Sequence, residues 1–221
     1  MNNDKKYGLV APTVPVADTD GLIKTVDLET DIIIHFPVWY GAKPQDSYQL
    51  LVDGTLVGEL VRFPDPVPVE GSVKTLTIPV NTQLRQDGRY SIGYRATPFP
   101  GGTSADSAMT SIHIDRTPPG AALLAPIIFP SATFGDSLSG LIPGYAGMGQ
   151  GDVIQAVCNE MNGPTTTVAP EHLTTSPINI KFEREFLSNL QSDEITVYYQ
   201  VTDRAGNVSA PSNASSLTLT I

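Results

Sequence analysis

Cysteine is the scarcest reactive group in this chain. Cys158 stands alone among 221 residues, which excludes an intramolecular disulfide in any compartment. Its neighbours alternate in polarity, so it is expected on a strand as a buried, inert thiol and not as a nucleophile. Basic residues are scarce as well. The formal net charge is −10, and after position 120 only Lys181, Arg184 and Arg204 are basic. Nucleic acid and anionic membrane surfaces are bound by clustered Lys and Arg, so neither is an expected partner. No stretch approaches the ~18 apolar residues of a membrane-spanning helix, so no membrane insertion is expected. The opening residues, MNNDKKYGLVAPTVPVA, lack the apolar run of roughly 7–15 residues that marks a secretory signal. The chain is therefore expected to remain inside the cell, to leave it by another route, or to be a piece of something longer. His35, His113 and His172 are isolated in sequence and show no metal-ligand spacing. A G-x-S-x-G elbow, a Walker loop and a dinucleotide fingerprint are all missing, so nucleophilic and nucleotide chemistry have no foothold.

Proline and glycine, by contrast, are plentiful, at 19 residues each, and Thr, Ser and Val are abundant. That composition suits many short strands joined by tight turns. Apolar residues make up 40% of the chain, enough for packed cores. The length fits one large all-β domain or two domains of about 100 residues.

The sequence repeats itself. Residues 36–54, FPVWYGAKPQDSYQLLVDG, and residues 142–160, IPGYAGMGQGDVIQAVCNE, share the pattern P-x-[WY]-x-G-x4-D-x-[YI]-Q-x2-[VC]-[DN]. Pro37, Trp39, Gly41, Asp46, Tyr48, Gln49, Val52 and Asp53 fall on Pro143, Tyr145, Gly147, Asp152, Ile154, Gln155, Cys158 and Asn159, each 106 residues on. Leu9-Val10-Ala11-Pro12 recurs as Leu123-Leu124-Ala125-Pro126, and Gly93 to Thr97 is echoed by Tyr198 to Thr202. Three matches in the same order imply two tandem copies of one fold, with a period far longer than the ~20–50 residues of a solenoid unit. The boundary is placed at IDRTPPGAA, residues 114–122, where Pro118-Pro119 ends a strand and stiffens the chain.

Within each copy the periodicity is that of strands. Asp31–Phe36, Ser47–Val52, Thr55–Leu60, Thr75–Ile78, Asp87–Ala96 and Ser111–Ile114 are expected strands, and Asp53-Gly54 is a hairpin turn. The second copy supplies Ile180–Phe182, Glu194–Val201 and Leu217–Ile221. Helical turns are expected only at Asn81–Leu84 and Glu183–Leu190. About seven short strands in a hundred residues predicts an all-β fold of two tandem immunoglobulin-like β-sandwich domains, 1–116 and 117–221.

Val201-Thr202-Asp203-Arg204-Ala205-Gly206-Asn207-Val208-Ser209 resembles the V-T-D-x-A-G-N-x-S ending of bacterial Ig-like repeats, and Asp115-Arg116-Thr117-Pro118-Pro119 resembles the joint between them. The likeness spans both copies, although the first has Thr97-Pro98-Phe99-Pro100 where the second has the intact ending. Such modules are strung in arrays on large surface and secreted proteins, including adhesin stalks. The resemblance implies a non-enzymatic structural or adhesive segment, extracellular or at the cell surface, whose partners are neighbouring Ig-like modules and a host or cell-surface protein or glycan. In some such repeats acidic residues at module ends bind Ca²⁺, which makes Asp115 and Asp203 the calcium candidates. The turn also closes without a ligand, through Gly206 at positive φ and the side chains of Asp203 and Asn207. No other cofactor is expected.

Other features have plain readings beside the functional ones. Asp18-Thr19-Asp20-Gly21 with Glu29 imitates an EF-hand, but Leu22 and Ile23 stand where a ligand and the glycine belong. Trp39 and Tyr40 form the one aromatic pair that could stack on a sugar. The matching Tyr145 favours core packing for Trp39. Tyr90 follows Asp87-Gly88-Arg89 as in the tyrosine corner of many sandwiches. Two rival roles stay open: a glycan- or protein-binding module that uses exposed loops such as Phe63–Pro68, and a hydrolase with a carboxylate pair that the fold assembles.

Overall fold

Alternating β-branched and aromatic residues become strands because period-two alternation lets one face of a sheet bury while the other meets water. In the computed structural model, which describes residues 8–130, 136–174 and 177–218, this produces an all-β chain. It divides into two units, Met1–Arg116 and Thr117–Ile221.

The first unit runs β1 (Leu22–Ile23), β2 (Ile32–Pro37), β3 (Ser47–Val52), β4 (Thr55–Arg62), β5 (Val73–Ile78), β6 (Gly88–Thr97), β7 (Ala105–Asp106) and β8 (Thr110–Ile114). One sheet has the order β1-β8-β6-β3-β4, with β7 paired to β6, and β2 and β5 form the other. Every pairing is antiparallel except β1 with β8, where Leu22 faces His113. Ile32, Ile34 and Phe36 from the small sheet meet Tyr48, Leu50, Val52, Ile92 and Tyr94 from the large one in a single apolar core. Phe36 and Tyr94 stack with centroids 4.3 Å apart. Side chains of this kind stabilise by about 1.5–3 kcal/mol each when fully buried.

The second unit contains β9 (Ser137–Ile142), β10 (Val153–Cys158), β11 (Met161–Thr167), β12 (Ile178–Glu183), β13 (Glu194–Thr202) and β14 (Ser215–Thr218). Its sheets are β11-β10-β13-β14 and β9-β12. Ile178, Ile180 and Phe182 pack against Ile154, Val197, Tyr199 and Val201. The strand expected over Leu217–Ile221 begins two residues earlier, at Ser215, and residues 219–221 lie outside the described ones.

The expected helical turns form as α1 (Val80–Gln83) and α2 (Arg184–Asn189). Two 3-10 turns, Thr25–Glu29 and Pro170–Leu173, were not expected. The N-terminal match needs a shift of one residue. The backbone N–H of Ala108 donates to Leu9 and that of Asn213 donates to Leu124, so Leu9 corresponds to Leu124 and not to Leu123. Burial agrees, for Leu124 is 1% exposed and Leu123 61%. Among the described residues no helix is long and apolar enough to cross a membrane.

Candidate functional site

The twice-written stretch builds the same corner in both units. β2 and β9 end at or beside Pro37 and Pro143, and the chain then turns through Gly41 and Gly147, both at φ 72°. That left-handed conformation is open to glycine at little cost. Asp46 and Asp152 close the turn from within, being 5% and 2% exposed. In the first unit one Asp46 oxygen accepts from the Lys43 N–H at 2.9 Å and the other from the Phe99 N–H at 2.8 Å. In the second, Asp152 Oδ2 accepts from the Gly149 N–H and from the Tyr145 hydroxyl, both at 2.9 Å. Burial first, and then the charge of Asp152, push the Tyr145 hydroxyl far above the usual tyrosine range, so it stays a donor.

The rest of the shared pattern is also spent on folding. Gln49 donates to the Gly58 carbonyl at 2.7 Å and Gln155 to the Gly163 carbonyl at 2.8 Å. Each bond spans a shift in strand register, between Tyr48 and Leu50 and between Gln155 and Val157, so the glutamine pins a β-bulge. Asp53 and Asn159 sit at φ 49° and 47°, and their side-chain oxygens accept from the N–H groups of Ser91 and Thr196. Tyr48 and Ile154 point into the cores.

A serine clasp escaped sequence reasoning. The backbone of Ser107 and Ser212 pairs with Tyr94 and Tyr199, and each hydroxyl accepts the tyrosine N–H at 3.0 Å while donating to the next carbonyl. The two serines are 105 residues apart, the spacing of the late-strand match. That spacing was the only available signal, and serine is too common to stand out by it. Burial raises the hydroxyls of Tyr94 and Tyr199 to about 12, and neither oxygen has a hydrogen-bond partner.

The calcium candidates fall in different units. Asp115 follows β8, while Asp203 follows β13. Asp203 Oδ1 accepts from the Asn207 N–H and Oδ2 from the Asn207 side-chain amide, each at 2.8 Å, while Gly206 takes φ 95°. Among the described residues no group of three His, Cys, Asp or Glu side chains could hold a metal ion. The imitation EF-hand is a loop in which Asp20 accepts from the Leu22 N–H and Asp18 pairs with Lys24. Cys158 is fully buried on β10, and burial raises its thiol to about 12. His35 and His113 are half-buried strand residues, while His172 Nδ1 accepts from the Ala169 N–H. The Tyr90 hydroxyl donates to the Gln86 carbonyl at 2.9 Å, making the expected corner.

The aromatic residues divide. Trp39 is half-buried and packs 4.8 Å from Phe63 and 6.4 Å from both Tyr48 and Tyr94, ring centre to ring centre. Phe63, offered as part of an exposed recognition loop, is instead 1% exposed. It packs against the Trp39 ring, and of the residues beyond it Pro64, Asp65 and Pro66 are exposed while Val67 and Pro68 are half-buried. Tyr40 is 70% exposed. Beside it lies a cleft of about 470 Å³ lined by Leu9, Pro37, Trp39, Tyr40, Glu70 and Tyr94, among others. Glu70 is the one acidic side chain among these lining residues.

No family model matches the sequence, and no curated protein matches it. Solved structures similar to this chain include one from a study of how a 1.5-MDa bacterial ice-binding adhesin is retained at the host cell surface. It is 16% identical with a TM-score of 0.49, over 95% of this chain and 63% of that one. The chain thus spans less than two thirds of that structure's length. Fibronectin(III)-like modules of Clostridium thermocellum CbhA are 13% identical with a TM-score of 0.42, over 94% of this chain and 93% of that one.

Proposed function

We propose that this chain is a non-enzymatic structural or adhesive segment of a larger bacterial surface or secreted protein, in which two Ig-like units serve as mechanical spacers. One observation carries the reading. The acidic residues at the shared corner, Asp46 and Asp152, are buried; both Asp46 oxygens accept backbone N–H groups, and Asp152 Oδ2 accepts a backbone N–H and the Tyr145 hydroxyl. What is retained between the copies thus holds the fold together, as spacer modules need, and is not presented to a substrate. The sequence likeness of the Asp203–Asn207 turn and the Asp115–Pro119 joint to bacterial Ig-like repeats supports the same role. The units work without a bound ion in this account, since both Asp203 oxygens already serve Asn207.

The native gene product tests the proposal. Further copies of P-x-[WY]-x-G-x4-D flanking these residues are expected, and a protein that ends where this sequence ends would overturn the stalk role. A second reading, as a binding module, is favoured by the cleft beside Trp39 and Tyr40. Saturable binding to a glycan array, abolished by Tyr40→Ala, would establish it in place of the first.

A further inference from the structure

Leu51 and Val157 hold the same place in the two units, 106 residues apart on the interior strands β3 and β10. Their neighbours Leu50, Val52, Ala156 and Cys158 belong to the cores, whereas strand alternation turns Leu51 and Val157 to the opposite face of the sheet, where water is expected. Both are nevertheless buried, at 0% and 7% exposure. Each is therefore covered from the outer side.

In the second unit the cross-strand partner of Val157 is Tyr198, a half-buried side chain large enough to cover it. In the first unit the matching partner of Leu51 is Gly93, which has no side chain to offer. The space is filled from another segment. A Cβ on Gly93 would collide with Met109 Sδ and come within 3.1 Å of Met109 Cε, so the thioether occupies the place where Tyr198 projects its ring in the second unit. Directly opposed residues of a sheet have Cβ atoms about 4.5–5.5 Å apart, which puts this thioether beside Leu51. Met109 is held there from both sides. The Ala108 N–H donates to the Leu9 carbonyl, the Ser107 hydroxyl accepts the Tyr94 N–H, and the Thr110 hydroxyl donates to the Pro12 carbonyl. Met109 is itself 41% exposed, so a small solute reaches it from water.

A thioether packs as an apolar group until it is oxidised. Its sulfur attacks a hydroperoxide, the O–O bond breaks, and one oxygen bonds to sulfur. The other leaves with the proton as water or an alcohol, so sulfur loses the two electrons that the peroxide gains. The sulfoxide is polar and chiral and disrupts an apolar contact. We infer that Met109 is a peroxide-sensitive modification site, whose oxidation lifts the cover from Leu51 and loosens the first unit beside its serine clasp. The second unit has no counterpart at that place, because its cover there is the Tyr198 ring.

The chain has four methionines. Met161 is 52% exposed on the edge strand β11, while Met148 is partly buried against the second core. Cys158 is fully buried and its thiol is raised to about 12, which withholds the reactive thiolate. The full chain is treated with graded hydrogen peroxide, sulfoxides are located by peptide mass mapping, and each sample is melted while emission from Trp39, the only tryptophan, reports the first unit. Met109 and Met161 should oxidise before Met148, and the first transition should fall by about 5–15 °C in proportion to Met109 sulfoxide. Met109→Leu keeps an apolar cover of similar volume without the sulfur, so its first transition should start near the parent's and stay there under peroxide. Methionine sulfoxide reductases acting on both epimers should restore the parent's melting curve. Three results would each overturn the inference: Met109 left unoxidised when Met161 is fully converted, complete Met109 sulfoxide with an unchanged first transition, or an equal fall in peroxide-treated Met109→Leu.

Discussion

Replacing Asp46 by alanine should unfold the first unit at a much lower temperature and leave the second alone. The side chain is 5% exposed and satisfies two backbone donors, the N–H groups of Lys43 and Phe99, at 2.9 and 2.8 Å. An orphaned buried donor costs about 1–3 kcal/mol. Both sites are only partly buried, so water relieves some of that penalty, and the combined loss is taken as roughly 2–4 kcal/mol. Against a total stability of about 5–15 kcal/mol this is a large fraction. At roughly 4–8 °C per kcal/mol for a domain of this size, the transition should fall by roughly 8–32 °C. Asp46→Asn keeps one acceptor oxygen but turns an amide N–H toward the other donor, so about half the loss is expected. Scanning calorimetry gives both transitions, and Trp39 emission identifies that of the first unit. A loss below about 1 kcal/mol in Asp46→Ala, or an equal shift in both transitions, would refute the corner as the keystone of its unit.

The serine clasp makes a parallel claim. Ser107→Ala should lower only the first transition and Ser212→Ala only the second, each by about 1–3 kcal/mol, since each leaves the N–H of a fully buried tyrosine without an acceptor. Denaturant titration of both variants checks this. Alkaline pH should destabilise the chain, because burial holds Tyr94, Tyr199 and Cys158 at about 12, against ordinary values of 10.0 for tyrosine and 9.0 for cysteine. The folded state keeps these protons where the unfolded chain releases them. Their contribution is therefore complete below the unfolded values and is lost as pH rises towards the folded ones. Urea midpoints measured upward from neutrality should stay flat and then fall. Removing calcium with a chelator should leave the melting curve unchanged, and a lowered transition restored by Ca²⁺ would give Asp115 or Asp203 a ligand role.

How much of this was legible in the sequence differs from one element to another. β13 announced itself because it buries alternate residues and carries a period-two pattern, while β3, buried at nearly every position, was marked by the Asp53-Gly54 turn that follows it. β1 and β7, two residues each, exist only through their partners on β8 and β6, and no local pattern encodes such a bridge. β11 was hidden by Asn162-Gly163-Pro164, which reads as a turn. As the edge of its sheet it tolerates a proline that cannot donate to the ladder. The corner was visible because a left-handed turn demands glycine and a buried amide cluster demands a carboxylate, so both copies keep these residue types. The cleft was not visible. Trp39 and Tyr40 are adjacent in sequence, but they lie past the end of β2, where the chain turns and leaves Trp39 half-buried and Tyr40 exposed. The wall formed by Leu9 and Glu70 comes from residues about thirty positions away on either side.

Stretching single molecules of this chain between two handles tests the central claim, that it is a pair of mechanical modules. A unit the size of residues 117–221 releases roughly 3.3–3.6 Å per residue when it unfolds. The account predicts two separate force peaks, each followed by a gain in contour length of roughly 300–380 Å. A single peak releasing the whole chain at once, or a smooth extension without peaks, would contradict it.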